Sequence, residues 1–362
     1  MLDQILETRS VEKIRKITPD KWDTLRNEYL DIFFHEEYGQ PIPKPETLTF
    51  EEAKLSYFDK RFCAGKATLH HVTAHATIDG KKFSFPFCAV LPTKPGKYPF
   101  FVLNNFTNGV PDKYLPIEEI IDNGFAVLSV CYEDVTSDNG DFTNGLAAIV
   151  TPPEAQTDFT KRAPDAPGKI VMWAWANCRL LDYAATQDCL DMNNAATIGH
   201  SRLGKTSLLA GALDTRFRFV ISNDAGCSGD AITRGKQGEQ ISDITTRFPF
   251  WFCENYKKYT DHNKLTFDQH ELIATVAPRH FLSGAAVEDT WADPEAQLLG
   301  CHAASPAWEQ LGLKGLISPD RYAEIGETFG NGNVAFHLRS GSHYLSRYDW
   351  NVYMNYIKKN LV

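Results

Sequence analysis

The sequence predicts an α/β fold: a mainly parallel central sheet with helices on both faces and an N-terminal hairpin. Two strand-length alternating segments flank Asp79-Gly80, which is a hairpin signal. Downstream, short apolar runs and amphipathic segments follow one another repeatedly, the pattern of βα units whose sheet is covered on both faces. The 362 residues are 43% hydrophobic and 23% charged, enough apolar material for one large core.

In chain order, residues 20–38 carry Trp22, Leu25, Tyr29, Ile32 and Phe33 at helical spacing, and Gly39 stops that helix. Pro41, Pro43 and Pro45 make the next stretch an extended arm. Alternation over 67–91 gives the hairpin. Strands follow at 99–103 and 126–130, with an amphipathic segment at 116–123 between them. A long helix is expected at 169–186, then strand 195–199, helix 203–213, strand 217–222, a polar insertion over 225–265 and helix 268–276. Strand 280–286, a helical region near 293–302, strand 334–339 and a final helix from 348 complete the order. Residues 1–45 are expected to form a helical lead-in and 46–362 the catalytic domain.

The net charge of −9 and the absence of any basic run argue against nucleic acid as a partner. The acidic start Met1-Leu2-Asp3-Gln4-Ile5-Leu6-Glu7 is unlike a secretory signal, and no apolar stretch reaches membrane-spanning length. The expectation from the sequence as written is a cytoplasmic protein, secreted if a signal was removed before residue 1. The eight cysteines stand singly and are expected to be reduced and to pack as small hydrophobes, one disulfide being left open if the protein is exported. His70, His71 and His75 suggest metal ligands, but His70 and His71 point to opposite faces of a strand, so surface histidines are expected there. No metal or cofactor is expected.

Chemistry enters at Gly199-His200-Ser201, where an apolar strand turns directly into the helix-forming Lys205-Thr206-Ser207-Leu208-Leu209. A serine at such a junction is held out of the sheet with a helix N-terminus behind it, as at the nucleophile elbow of the α/β-hydrolase fold. The glycine that usually falls two residues after the serine is displaced here to Gly204. A serine needs an imidazole to take its proton, and in this fold the histidine follows the last strand. His343, in Ser340-Gly341-Ser342-His343, meets that condition, whereas His337 falls inside the strand. Two acids compete for the third place, Asp289 being expected as the principal acid and Asp224 as a second or supporting carboxylate. Asp289 follows the strand that ordinarily delivers the acid, and Asp224 follows the strand after the nucleophile. Asp293, before Pro294, fits a helix cap better.

Gly199-His200-Ser201-Arg202-Leu203-Gly204-Lys205 resembles the Gly-x-Ser-Arg-x-Gly-Lys signature of the glucuronoyl esterases, carbohydrate esterase family fifteen, especially their bacterial members. Trp173-Ala174-Trp175, Asn223-Asp224-Ala225-Gly226, Gly238-Glu239, Phe248-Pro249-Phe250-Trp251-Phe252, Phe267-Asp268-Gln269-His270, Ala277-Pro278-Arg279 and Trp291-Ala292-Asp293-Pro294 fit the same family in order, as does Tyr348-Asp349-Trp350. The resemblance covers about 165–358. It implies a serine carboxylesterase acting on a carbohydrate ester, foremost a (4-O-methyl-)glucuronoyl ester linking xylan to an alcohol, by an acyl-enzyme route. A sugar acetyl esterase and a non-catalytic carbohydrate-binding relative are the other readings. It further implies that the oxyanion is served by the Arg202 N–H and guanidinium, and that Lys205, Glu239 and Trp291 contact the uronic acid sugar. The Asn104–Asn108 loop is expected to wall the site opposite. The family's pocket glutamine has no counterpart, and Arg247 lies near its place. The expected partner is a small-molecule or oligosaccharide ester.

Overall fold

A computed structural model describes all 362 residues, the side chain of Phe159 excepted. Ten strands form one sheet: β1 (Thr47–Glu52), β2 (Ala67–Ile78), β3 (Lys81–Pro92), β4 (Tyr98–Asn105), β5 (Ala126–Cys131), β6 (Leu190–His200), β7 (Phe219–Asn223), β8 (His280–Ala286), β9 (Thr328–Phe329) and β10 (Val334–Arg339). Their order across the sheet is β1-β2-β3-β5-β4-β6-β7-β8-β10-β9. From β5 through β10 every neighbouring pair is parallel. These strands are buried on both faces, so they read as continuous apolar runs rather than alternation. This is the α/β-hydrolase architecture.

The hairpin β2–β3 turns at Asp79 and Gly80, both at positive φ (47° and 70°), with Ile78 opposite Lys81. Positive φ at both central residues gives the tight turn the twist that the strands need. The expectation of a hairpin alone was too small. β1, hidden behind the proline arm, adds a third antiparallel strand along β2, and its Phe50 packs edge-on against Phe87 and Tyr183. β6 likewise starts earlier than expected, because a register shift against β4 carries pairing back to Leu190.

The lead-in helix Trp22–Glu36 buries Trp22, Leu25, Tyr29 and Phe33, and these join the same apolar cluster as the strands and the helix Lys169–Ala184. It ends near Gly39, whose φ is +90° and where a Cβ would meet the Ala166 carbonyl oxygen at 2.3 Å. Only glycine permits that approach. The insertion over 225–265 contains the helix Ile241–Arg247 and folds over the carboxyl ends of the parallel strands. Among the described residues no helix is long and apolar enough to cross a membrane. All eight cysteines are free thiols.

The strand histidines have separate partners, supplied by neighbouring elements: His70 meets Glu52 at 3.1 Å, His71 lies 3.6 Å from both Asp59 and Cys88, and His75 meets Ser84 at 2.8 Å. They do not converge.

Candidate active site

β6 and the helix Arg202–Leu213 meet at Ser201, whose backbone sits at φ 59° and ψ −128°. A side chain at positive φ costs about 1–3 kcal/mol, and the surroundings hold it there. The Ser201 N–H donates to the Asn223 carbonyl oxygen on β7 (2.9 Å). Gly199 lets the first helical turn fold back onto the strand, since a Cβ there would lie 1.9 Å from the Leu203 oxygen. The helix opens at Arg202, whose N–H is among the first of the helix and has no intrahelical acceptor, while those of Gly204 and Lys205 close onto the Ser201 carbonyl.

His343 lies on the loop after β10, and its Nδ1 stands 2.6 Å from Asp289 Oδ2. A carboxylate only accepts, so the proton is on Nδ1 and Nε2 is free to accept another. The Asp289 side chain is 4% exposed and the His343 ring 44%, a carboxyl group sealed below an imidazole that opens to the cleft. Asp224 is brought into the same cluster: one ligand atom from each of Asp224, Asp289 and His343 fits within 4.8 Å. Its own bonds go elsewhere, Oδ1 accepting from the Ala286 N–H (2.9 Å) and Oδ2 from Arg339 (3.3 Å). Burial and the charge of Asp289 push its carboxyl well above the usual carboxylate range, opposed by Arg339. Asp293 is the cap of the helix Pro294–Ala304, accepting from Ala296 N (3.1 Å) and Gln237 N (2.7 Å). His337 is buried against Asp349 at 2.7 Å.

Ser201, Arg202, Lys205, Asp224, Glu239, Arg247, Asp289, Trp291 and His343 line one cleft of about 300 Å³. Lys205 is buried, donates to the Ala225 carbonyl (2.5 Å) and lies 3.5 Å from Glu239. Glu239 is fixed through its N–H to the Trp291 oxygen (2.9 Å), and Trp291 presents a half-exposed indole. The Arg202 guanidinium is ion-paired to Asp138 and stacked over Trp251 at 4.7 Å. The Trp251 indole N–H also donates to Asp138 (2.7 Å) and its ring stacks on Phe248 at 3.9 Å. The loop Asn104–Asn108 is set back. Asn104 bonds Trp173 and Asn177, Asn105 bonds Asp112, and Phe106 packs edge-on against His200.

Asp138, the Phe248–Trp251 stack and His200 escaped the sequence reading. Asp138 sits in a polar loop with no periodic signal, and the Phe248–Trp251 run shows its use only once the insertion folds back over Arg202. The His200 ring centre is 4.4 Å from that of His343. Burial, reinforced by His343, lowers its pKa to about 3, so it stays neutral beside the His343 ring.

The glucuronoyl esterase of Solibacter usitatus superposes on this chain with a TM-score of 0.85 at 30% identity, covering 96% of this chain and 95% of that one. The chain belongs to the glucuronoyl esterases, carbohydrate esterase family 15. A family model described as fungal glucuronyl esterase matches residues 159–312, the stretch that carries the elbow, the insertion and the Asp289 loop. A carbohydrate esterase of an unknown prokaryotic organism is 38% identical over 257 residues, 70% of this chain and 57% of its own length. The chain thus spans little more than half of that relative. The 4-O-methyl-glucuronoyl methylesterase 1 of Wolfiporia cocos is 29% identical over 306 residues, 81% of this chain and 68% of its own. In this chain the signature residues Arg202, Gly204 and Lys205 occupy one turn of helix, and Arg202 and Lys205 line the cleft.

Proposed function

We propose that this chain hydrolyses glucuronoyl esters of carbohydrates through an acyl-enzyme on Ser201. The observation that carries the reading is the meeting, in one cleft, of a serine on a strained elbow with the His343–Asp289 pair. His343 Nε2 takes the Ser201 proton as Oγ adds to the ester carbonyl, and Asp289 holds the resulting imidazolium. The oxyanion forms at the helix N-terminus, where the Arg202 N–H donates and the nearby guanidinium adds positive potential. His343 then returns the proton to the departing alcohol. Water, deprotonated by the same ring, attacks the acyl-enzyme and frees Ser201 and the uronic acid.

The sugar half is read from Lys205, Glu239 and Trp291. An ammonium donates to ring hydroxyls, a carboxylate accepts from them, and the open indole face packs on a pyranose. Relatives named glucuronoyl esterase and 4-O-methyl-glucuronoyl methylesterase support the uronic ester over an acetyl ester. The natural substrate in this reading is a uronic acid decorating xylan or its oligosaccharides.

Hydrolysis of benzyl glucuronate and of 4-nitrophenyl acetate by the wild type and by Ser201→Ala tests it. Turnover of the glucuronate that vanishes in Ser201→Ala is the expected result. Turnover of the acetate alone would replace the substrate, and turnover of neither by the folded wild type would remove the enzyme reading.

A further inference from the structure

We infer that Arg339 is the positioning residue of the base: its guanidinium is the post around which the loop carrying His343 is wound. The inference rests on the reading of His343 as general base. Arg339 ends β10 and is buried. A guanidinium has five N–H donors, and here each meets an acceptor. Nη1 donates to the carbonyls of Ser340 (3.0 Å) and Ser342 (3.2 Å). Nη2 donates to the Tyr344 carbonyl and to Asp224 Oδ2 (3.3 Å). Nε lies between the two oxygens of Asp349, at 2.8 and 3.0 Å. Three of the carbonyls on the turn bracketing His343 therefore point inward at one cation.

Residues 340–344 leave the sheet in a tight turn with Gly341 at φ +90°. The Gly341 carbonyl is taken by the Glu288 N–H (3.1 Å), and those of Ser340, Ser342 and Tyr344 share one planar fork, which fixes the turn on both sides of His343. Asp349 balances the charge of the guanidinium on one side and Asp224 accepts from it on the other, both carboxyls being buried. Asp349 in turn accepts from the Ser346 N–H and hydroxyl, each at 2.7 Å, at the start of the helix Arg347–Lys359. Arg339 thus joins the strand before His343, the helix after it, and the strand end that carries Asp224. It also gives Asp224 an occupation distinct from that of Asp289: an acceptor for the post rather than a partner of the imidazole.

Lysine cannot replace it, since a single ammonium offers its donors from one point and does not reach carbonyls on three sides of a turn. The test is a double-mutant cycle on benzyl glucuronate with Arg339→Met and His343→Ala. Arg339→Met is expected to lower kcat at least about tenfold with KM within about twofold, as displacement of a reacting group by a fraction of an ångström does. Added to His343→Ala, the same substitution is expected to cost less than about twofold, because there is no base left to misplace. Should Arg339→Met not fold, Arg339→Lys enters the same cycle. An equal fold-loss in both backgrounds would make Arg339 a merely structural residue and overturn the inference, as would an unchanged kcat in Arg339→Met. Full activity of His343→Ala would instead remove the base itself, and the inference with it.

Discussion

Replacing Asp289 with asparagine decides which aspartate serves the base. With the carboxylate 2.6 Å from Nδ1, the imidazole is held with its proton on Nδ1 and its lone pair on Nε2. Asparagine has the same shape but can offer an N–H to Nδ1. The ring then carries its proton on Nε2, facing Ser201, and cannot accept another; the negative charge that stabilises the imidazolium is lost as well. In Ser-His-Asp hydrolases a change of this kind lowers kcat by about four orders of magnitude, or ~5.5 kcal/mol of barrier at about 1.4 kcal/mol per tenfold. Asp224→Asn acts differently. The one remaining side-chain oxygen keeps the 2.9 Å bond from the Ala286 N–H, the amide NH2 replaces the oxygen that met Arg339, and the His343–Asp289 pair is untouched. One long acceptor of the Arg339 guanidinium is lost, and a loss of about tenfold or less is expected. The assay is kcat on benzyl glucuronate for both variants, each checked for native circular dichroism. A larger loss in Asp224→Asn than in Asp289→Asn would refute the reasoning and move the acid to β7.

Two further outcomes are expected. Glu37 is fully buried, and burial pushes its carboxyl up to about 8 despite a hydrogen bond from Gln269. Its contribution to stability is therefore present below the ordinary glutamate range near 4.5 and lost as pH rises through about 8. Glu37→Gln should unfold at nearly the wild-type urea midpoint at about pH 5 and be more stable by a few kcal/mol at about pH 8.5, since each pH unit between the folded and unfolded pKa is worth about 1.4 kcal/mol. Arg247 lines the cleft and, among the described residues, makes no ion pair there, whereas Arg202 is paired with Asp138 and Lys205 with Glu239. Arg247→Gln should weaken inhibition by free glucuronate, which carries the charge the ester lacks, by roughly tenfold, and change kcat/KM for benzyl glucuronate less than about threefold.

The parallel strands were legible because burial on both faces leaves apolar runs that nothing else in a polar chain imitates; β8 and β10 were predicted at the residues they occupy. β1 was not, since Thr47–Glu52 is a half-exposed edge strand with a weak alternation, and only β2 makes it a strand. At the candidate site, Ser201 and His343 stand out by position, each lying where a strand ends in small or polar residues, and both line the same cleft. Sequence ranks Asp289 above Asp224 only by the strand it follows, because both follow strands and both reach the cluster. What separates them is the bond each makes, and that depends on Arg339, whose place at the end of β10 looked like a simple strand terminus.

The displaced glycine of the signature has the same kind of explanation. A glycine two residues after the nucleophile usually lets the helix pass close to its neighbour; here that position is Leu203, which is fully buried in the core. The close approach occurs one residue later. A Cβ on Gly204 would lie 3.0 Å from Ala225 Cβ and 3.1 Å from the Asn223 oxygen, the two residues that flank Asp224. The helix has been turned so that its bare position faces the β7 loop rather than the next strand. That same turn sets Lys205 over the Ala225 carbonyl and beside Glu239. Arg202, Gly204 and Lys205 therefore form one packing solution: the glycine brings the helix down onto the Asp224 loop, and the two cations on either side of it reach the cleft because it does.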